Sequence, residues 1–377
     1  MVKSLLASLL AIFLTLLNHA PAQAQRAPQP WKIVSWASPL GPQALSYDYL
    51  CGLKAMISFL NMNGGADGRP IEIYSQEMDD FQTDFPNRLN DVLQQVQPDL
   101  VVGGAANSRA KATADYFRRL GLIWFGPWTN NSGAYQGRVD DPIGLLPTVD
   151  EELELLIDHA AKRLPQNSEI LFIYYQSAEG QLDAELAAQK AKARSLVLAP
   201  VPLLPNFRNW GELEDEAMGA GAVMLWLPTG PAAAIVRTLK NRLPEDTLWM
   251  TNSLNSPGME VTEMTGGLWE GMIFPAVLSP KSSLAQAYDA ILYKYGPRGL
   301  TLDYQTYLGV AQGQILVKAL LNAPANSNSA TLRQAFKEAT SNGTLLYPSS
   351  FDIGKPPKGA SYLAVATANW DWQPVPD

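Results

Sequence analysis

Apolar and polar positions alternate along this chain in a repeating order. A short apolar run is followed by a stretch in which apolar residues recur every three or four positions. Residues 32–36 form the first such run, and residues 47–62 follow with Leu50, Leu53, Ile57 and Leu60 on one helical face. Asn63-Gly64-Gly65 then stops the helix, as glycine does at helix ends. The same reading predicts strands over 71–75, 100–104 and 123–126, and helices over 85–96 and 108–120. Strands that alternate with helices in this way predict a parallel sheet covered on both faces.

The pattern restarts near Thr148. Helices are predicted over 150–164, 182–193, 212–218 and 232–243, and strands over 170–175, 196–201, 222–227, 248–251 and 272–275. Two long helices, 284–295 and 304–321, have no strand between them and read as cladding for the first run. A helix over 332–340 and a closing strand over 362–367 complete the chain. The predicted fold class is therefore α/β, with two doubly wound parallel-sheet lobes joined by a three-segment hinge. The crossings fall near Pro147, near Pro275–Pro280 and near Gly343–Ser350, where proline, glycine and serine mark linkers. The expected partition is 25–147 plus 278–342 for lobe 1, and 148–277 plus 343–377 for lobe 2. Multiple crossings make a hinge about which lobes can close.

The first 24 residues do not fit this order. Lys3, an apolar stretch over 5–17 and Pro21-Ala22-Gln23-Ala24 have the layout of a secretory leader cleaved after Ala24. The apolar stretch is too short to span a bilayer comfortably. The expected location is the periplasm, with no membrane insertion. About 350 residues remain, more than one hydrophobic core usually serves, which agrees with two lobes.

Charge and scarce residues narrow the chemistry. The chain has 28 basic and 36 acidic residues; without Lys3, 27 basic residues face 36 acidic ones, a net charge of −9. Such a surface repels phosphate backbones, so no nucleic acid partner is expected. After loss of the leader one histidine, His159, and one cysteine, Cys51, remain. They cannot build a disulfide or a Cys/His zinc cage, and no cofactor is called for. A Ser-His-acid triad would need His159, which the helical pattern of 151–164 places on a solvated face.

Open α/β sheets bind ligands beyond the carboxyl ends of their strands. Four such ends stand out in the first lobe: the segment 38–43 after strand one, Glu77 to Asp80 after strand two, Gly103 to Ser108 after strand three, and Pro127 to Gly133 after strand four. In the third, small residues including Ala106 let a ligand approach the backbone, and Asn107 or Ser108 can cap the next helix. The free N–H groups of that helix favour an anionic ligand group. An ordinary capped turn has the same composition, and neither a Walker loop nor G-x-G-x-x-G is present. Trp128 and Asn130 lie on a loop, where a tryptophan serves as a lid or packs beneath its own loop. The carboxylates at 77–80 fit a solvated or helix-capping role better than metal or acid–base chemistry. Glu179 follows the 170–175 strand and is placed to meet a cationic ligand group from the second lobe.

Two segments carry a family resemblance. Ser38-Pro39-Leu40-Gly41-Pro42-Gln43, and Asn63-Gly64-Gly65-Ala66-Asp67-Gly68-Arg69-Pro70 before strand two, resemble the type I periplasmic binding proteins. The likeness is to the leucine/isoleucine/valine-binding branch of ABC-transporter receptors, which includes amide- and urea-binding relatives. It covers essentially the whole mature chain, most strongly 32–131. It implies two doubly wound lobes, three hinge strands and a small-molecule ligand in the cleft, with ABC transporter permease subunits as partners. It also implies that the helix N-terminus at Asn107-Ser108 holds a ligand carboxylate, and that Trp128-Thr129-Asn130 line the pocket. Second-lobe contacts fall near Glu179 and Thr229, and the ammonium-binding acid falls near Asn252-Ser253. Tyr47 completes the candidate ligand-binding set.

Two departures matter. Trp128 stands where the family has a small residue. Asn252-Ser253 supply no acid, and an unpaired buried ammonium is costly, so a plain α-amino acid would need another carboxylate, with Glu179 the candidate. The sequence therefore leaves a modified amino acid, an amide, or a neutral or acidic small solute open. It reads as a non-enzymatic solute receptor of an ABC importer. A ligand sensor of the same fold feeding a regulator, or a carboxylate-based hydrolase, are its rivals.

Overall fold

A computed structural model describes residues 29–39, 43–204, 210–280, 283–324, 327–339, 342–346 and 361–376. The predicted leader and its cleavage site lie outside these residues, as does part of the third crossing. The first sheet takes strands β1 (Trp31–Ala37), β2 (Ile71–Glu77), β3 (Leu100–Val102) and β4 (Ile123–Phe125) in the order β2-β1-β3-β4. All of its pairings are parallel, with Ile33 opposite Ile73 and Leu100 opposite Ile123. Parallel strands need covering on both faces, and alternate residues meet different layers. Val34, Trp36, Val101 and Trp124 pack with Phe85, Leu89 and Phe117 of helices α2 (Phe85–Val96) and α3 (Ala110–Leu120). Ile33, Val102 and Phe125 face the opposite layer, which holds α1 (Leu45–Met62).

The second sheet has seven strands in the order β11-β10-β9-β8-β7-β5-β6. Its parallel members are β5 (Glu169–Tyr175), β6 (Val197–Leu203), β7 (Ala222–Trp226), β8 (Leu248–Thr251) and β9 (Ile273–Ala276). The late strands β10 (Tyr362–Ala366) and β11 (Trp372–Pro374) add antiparallel to β9 and to each other. One face packs on α4 (Val149–Arg163) and α5 (Ala178–Ala193), through Leu153, Leu156, Ile157, Ala184 and Ala187. The other packs Leu171, Ile173, Val223 and Leu225 with α6 (Trp210–Met218) and α7 (Thr229–Leu239). A short helix α8 (Met259–Thr265) leans on α7.

Helices α9 (Ser283–Tyr295), α10 (Tyr304–Asn322) and α11 (Ser329–Glu338) return to the first sheet. Both α9 and α10 pack on α1, and the ring of Phe336 on α11 lies 4.4 Å from that of Phe125 on β4. The α1–α10 contact is close because Gly52 and Gly309 face the partner backbone. A Cβ on Gly309 would sit 1.9 Å from the carbonyl oxygen of Tyr49, and one on Gly52 would sit 2.0 Å from that of Thr306. The cladding reading of these helices matches this packing.

The structure corrects several local expectations. Strand β3 ends at Val102 rather than at 104, because Gly103 and Gly104 take φ of 66° and 84°, outside strand geometry. Helix α5 begins at Ala178, four residues before the expected start. Ser177 caps it by accepting a hydrogen bond from the Gly180 amide at 3.0 Å, and its polar first turn hid it from the apolar period. Helix α8 and strand β11 were not anticipated. His159 is buried rather than solvated, since α4 is covered both by α5 and by β9 and β10. Burial holds its imidazole below the usual histidine range.

Candidate functional site

The carboxyl ends of the two sheets face a shared cleft with a cavity of about 130 Å³. From the first lobe come Gln43 after β1, Phe81 after β2, Asn107 and Ser108 after β3, and Trp128, Asn130 and Asn131 after β4. The second lobe supplies Tyr175 at the end of β5 and Ser177, Glu179 and Asp183 beyond it, Trp226 at the end of β7 and Thr229 beyond it, and Asn252 and Asn255 after β8. Phe81 and Tyr175 meet across the cleft edge to face, ring centroids 6.3 Å apart.

The first-lobe wall is a closed hydrogen-bond network around Asp80. This fully buried carboxylate accepts from the Ser108 hydroxyl at 2.8 Å, the Arg109 amide at 3.0 Å and the Gln43 side-chain amide. Arg109 Nε also donates to the Asp80 carbonyl at 2.7 Å. The carboxylate thus lies where the α3 N-terminus was expected to receive a ligand anion. Burial pushes it up to about 6, against hydrogen bonds from Ser108 and Arg109 that pull it down. Asp79 is used locally, accepting from the Phe81 amide at 2.9 Å. Further along the wall, Thr129 Oγ1 donates to Asn107 Oδ1 at 2.7 Å, and the Asn131 amide donates to the Asn107 carbonyl at 3.0 Å. Trp128 is buried, and its indole N–H donates to Gln305 at 2.9 Å, so the ring packs beneath its loop with one edge on the cleft.

Glu152 joins the two walls. It sits on α4, fully buried, and accepts from Asn130 of the first-lobe loop at 2.8 Å. Its other oxygen meets the hydroxyl and amide of Ser253 beyond β8. Burial pushes this carboxyl up to about 8, opposed by the Ser253 and Asn130 hydrogen bonds.

The second-lobe wall differs. Thr229 donates to Asn255 at 2.9 Å, and Asn255 in turn donates to the Leu227 carbonyl at 2.7 Å. Asp183, half-buried on α5 one turn after Glu179, accepts from the Trp226 indole N–H at 2.9 Å. Burial pushes its carboxyl up to about 6, the Trp226 bond lowers it, and the charge of Glu179 raises it further. Among the described residues no lysine, arginine or histidine lines the cleft. Among the described residues no cluster of His, Cys, Asp or Glu could hold a metal ion, and no helix is long and apolar enough to cross a membrane.

A family model described as periplasmic binding protein matches residues 37–369. The chain belongs to the type I periplasmic binding protein family. The solved structures it resembles agree on the fold. A substrate-binding periplasmic protein from Ralstonia solanacearum superposes with a TM-score of 0.79 at 18% identity, over 92% of this chain and 100% of that one. A fatty acid ABC transporter substrate-binding protein from Thermomonospora curvata gives 0.76 at 16%, over 93% of each. A branched chain amino acid ABC transporter from Thermus thermophilus with bound valine gives 0.76 at 14%, over 93% and 96%. No curated protein matches the sequence.

In this periplasmic binding protein, Asn107, Ser108, Trp128, Asn130, Glu179, Thr229 and Asn252 of the expected residues reach the cleft. Four others do not line it. Ala106 is buried in the α2–α3 core, Thr129 lies behind Asn107, and Ser253 is turned to Glu152. Tyr47 is partly exposed on α1, with Cys51, Glu77 and Asp48 as its electrostatic neighbours. Sequence reasoning missed Asp183, Tyr175, Phe81, Trp226 and Glu152. Tyr175 and Trp226 end their strands and Phe81 follows β2 by four residues, a signal that could have found them, while Asp183 lies one helical turn beyond Glu179. Glu152 looked like one more polar position in the acidic first turn of α4.

Proposed function

We propose that this protein is the solute-binding receptor of an ABC importer, which captures one small polar solute between its lobes and presents the closed form to a permease. The observation that carries this reading is the cleft itself, walled by the carboxyl ends of both sheets and seamed at Glu152. On this reading, 25–147 plus 278–342 move as one lobe against 148–277 plus 343–377, in the periplasm, after removal of residues 1–24. A cavity of about 130 Å³ is close to the size that admits benzene in an engineered core. It suits a ligand on the scale of the valine held by the Thermus thermophilus protein better than a long acyl chain. The site residues of this reading are those that line the cleft, with Glu152 as the hinge-side link.

The experiment is mass spectrometry of the solute that leaves the exported protein on unfolding, followed by small-angle scattering with and without it. A single retained small molecule and a smaller radius of gyration on its return are expected. An unchanged radius at saturation would remove the jaw mechanism.

A further inference from the structure

The charge of the solute can be read from the cleft, given the receptor reading above. Two carboxylates, Asp183 and Glu179, line it one helical turn apart, and among the described residues no basic side chain does; Arg109 and Lys111 line an adjoining hollow that shares Ser108, Glu179 and Asp183 with it. The helix N-terminus best placed for an anion, that of α3, already holds the Asp80 carboxylate through the Ser108 hydroxyl and the Arg109 amide. A ligand carboxylate would have to displace an internal one there.

A second, independent observation concerns Gln43. It lines the cleft at 2% exposure. Its amide nitrogen is committed to Asp80, which fixes the orientation of the side chain, and its Oε1 has no hydrogen-bond partner. A buried acceptor left unmade costs about 1–3 kcal/mol, so this oxygen calls for a donor, and its side chain borders the cleft. Four aromatic side chains also line the cleft, Phe81, Trp128, Tyr175 and Trp226. Aromatic faces favour cations, more so where water is excluded.

We propose that the cleft selects a compact organic cation without a carboxylate, an ammonium or guanidinium group whose charge is met by Asp183 and Glu179 and whose N–H donors reach Gln43 Oε1. The Trp226 indole holds one Asp183 oxygen in place, which leaves the other for the ligand. The net negative charge of the chain steers the same class of solute toward it.

Four probes on one carbon skeleton separate the charges: isopentylamine, leucinamide, leucine and 4-methylpentanoate. Calorimetry on the exported protein, freed of retained solute, should show binding of the two amines. Leucine should be at least tenfold weaker, and the carboxylate should give no binding heat. Asp183→Asn, which keeps an acceptor for Trp226, should weaken isopentylamine about tenfold or more, as loss of a hydrogen bond to a charged group does. Glu179→Gln, at an exposed position, tests the same point without risk to folding and should weaken it by less.

Tighter binding of leucine or 4-methylpentanoate than of the amines would overturn the proposal. So would binding of neither amine, or an Asp183→Asn variant with the parent's affinity. Scattering on the same samples separates the two readings. A carboxylate that closes the lobes keeps the receptor and removes the cation, whereas an exported protein that carries no solute and closes on none of the four removes both.

Discussion

The two walls of the cleft are built from equivalent positions, the carboxyl ends of parallel strands, yet they use their polar groups in opposite ways. In the first lobe, Asp80, Ser108, Arg109, Asn107, Thr129 and Asn131 bond chiefly to one another. In the second, Glu179 is exposed and Asp183 has a single neutral donor, Trp226. A wall whose groups are mutually satisfied is rigid and contributes shape. A wall with acceptor capacity left over is the one able to contribute charge selectivity. The position of a residue at a strand end therefore says that it is near the cleft, but its hydrogen-bond partners decide whether it is available to a solute there.

The seam between the walls is the place where the contrast breaks most visibly. The Glu152 carboxyl is raised to about 8 by burial, against a usual value of 4.5. The folded protein therefore holds a proton there that the unfolded chain has released. Stability from this group is full below about pH 4.5 and is lost as pH rises through 8. Glu152→Gln, which mimics the protonated form, should match the parent near pH 4.5. At pH 8 it should be more stable than the parent by on the order of 4 kcal/mol. Urea unfolding at a series of pH values would read this, and parallel curves for the two proteins would show that the carboxyl is not strained.

Asp80→Ala tests the saturated wall next. It strands the Ser108 hydroxyl, the Arg109 amide and the Gln43 amide, and should cost about 3 kcal/mol in denaturant unfolding. Ser108→Ala removes one of those donors and should cost about 1 kcal/mol, with ligand affinity changed by less than tenfold, because its hydroxyl serves Asp80. A large loss of affinity with unchanged stability would reverse the assignment and return Ser108 to the ligand. Trp226→Phe, in the other wall, should cost less than about 1 kcal/mol of stability but weaken the bound solute measurably, since Asp183 loses its positioning donor. The smallest effect is expected from Glu179→Gln, which should leave the melting temperature of the empty protein unchanged.

Much of the architecture was legible in the chain. Strands such as 100–102 and 222–226 are short apolar runs bounded by turn residues, and α1 shows a clean three-to-four period; these are local properties. Helix ends were less legible. The polar first turn of α5 carries no apolar period, so the start at Ala178 rests on the Ser177 cap, and this moved Glu179 from a loop onto a helix and exposed Asp183 as its neighbour one turn on. His159 shows the same limit, because helical periodicity reports one buried face and cannot register a second layer, here β9 and β10, that arrives from a distant part of the chain.

The sequence by itself determined that the chain alternates strands and helices in two runs, that its candidate ligand groups fall at the strand ends, and that one cysteine and two histidines leave little for metal or disulfide chemistry. These follow from spacing, strand polarity and count. Only the tertiary structure decided which strand-end groups are free. Asp80 comes 28 residues before Ser108 in sequence, and Glu152 is 101 residues from Ser253, yet each pair is in hydrogen-bond contact. A residue's capacity to bind a solute depends on what else its donors and acceptors already reach, and that is set by long-range packing that no local pattern encodes.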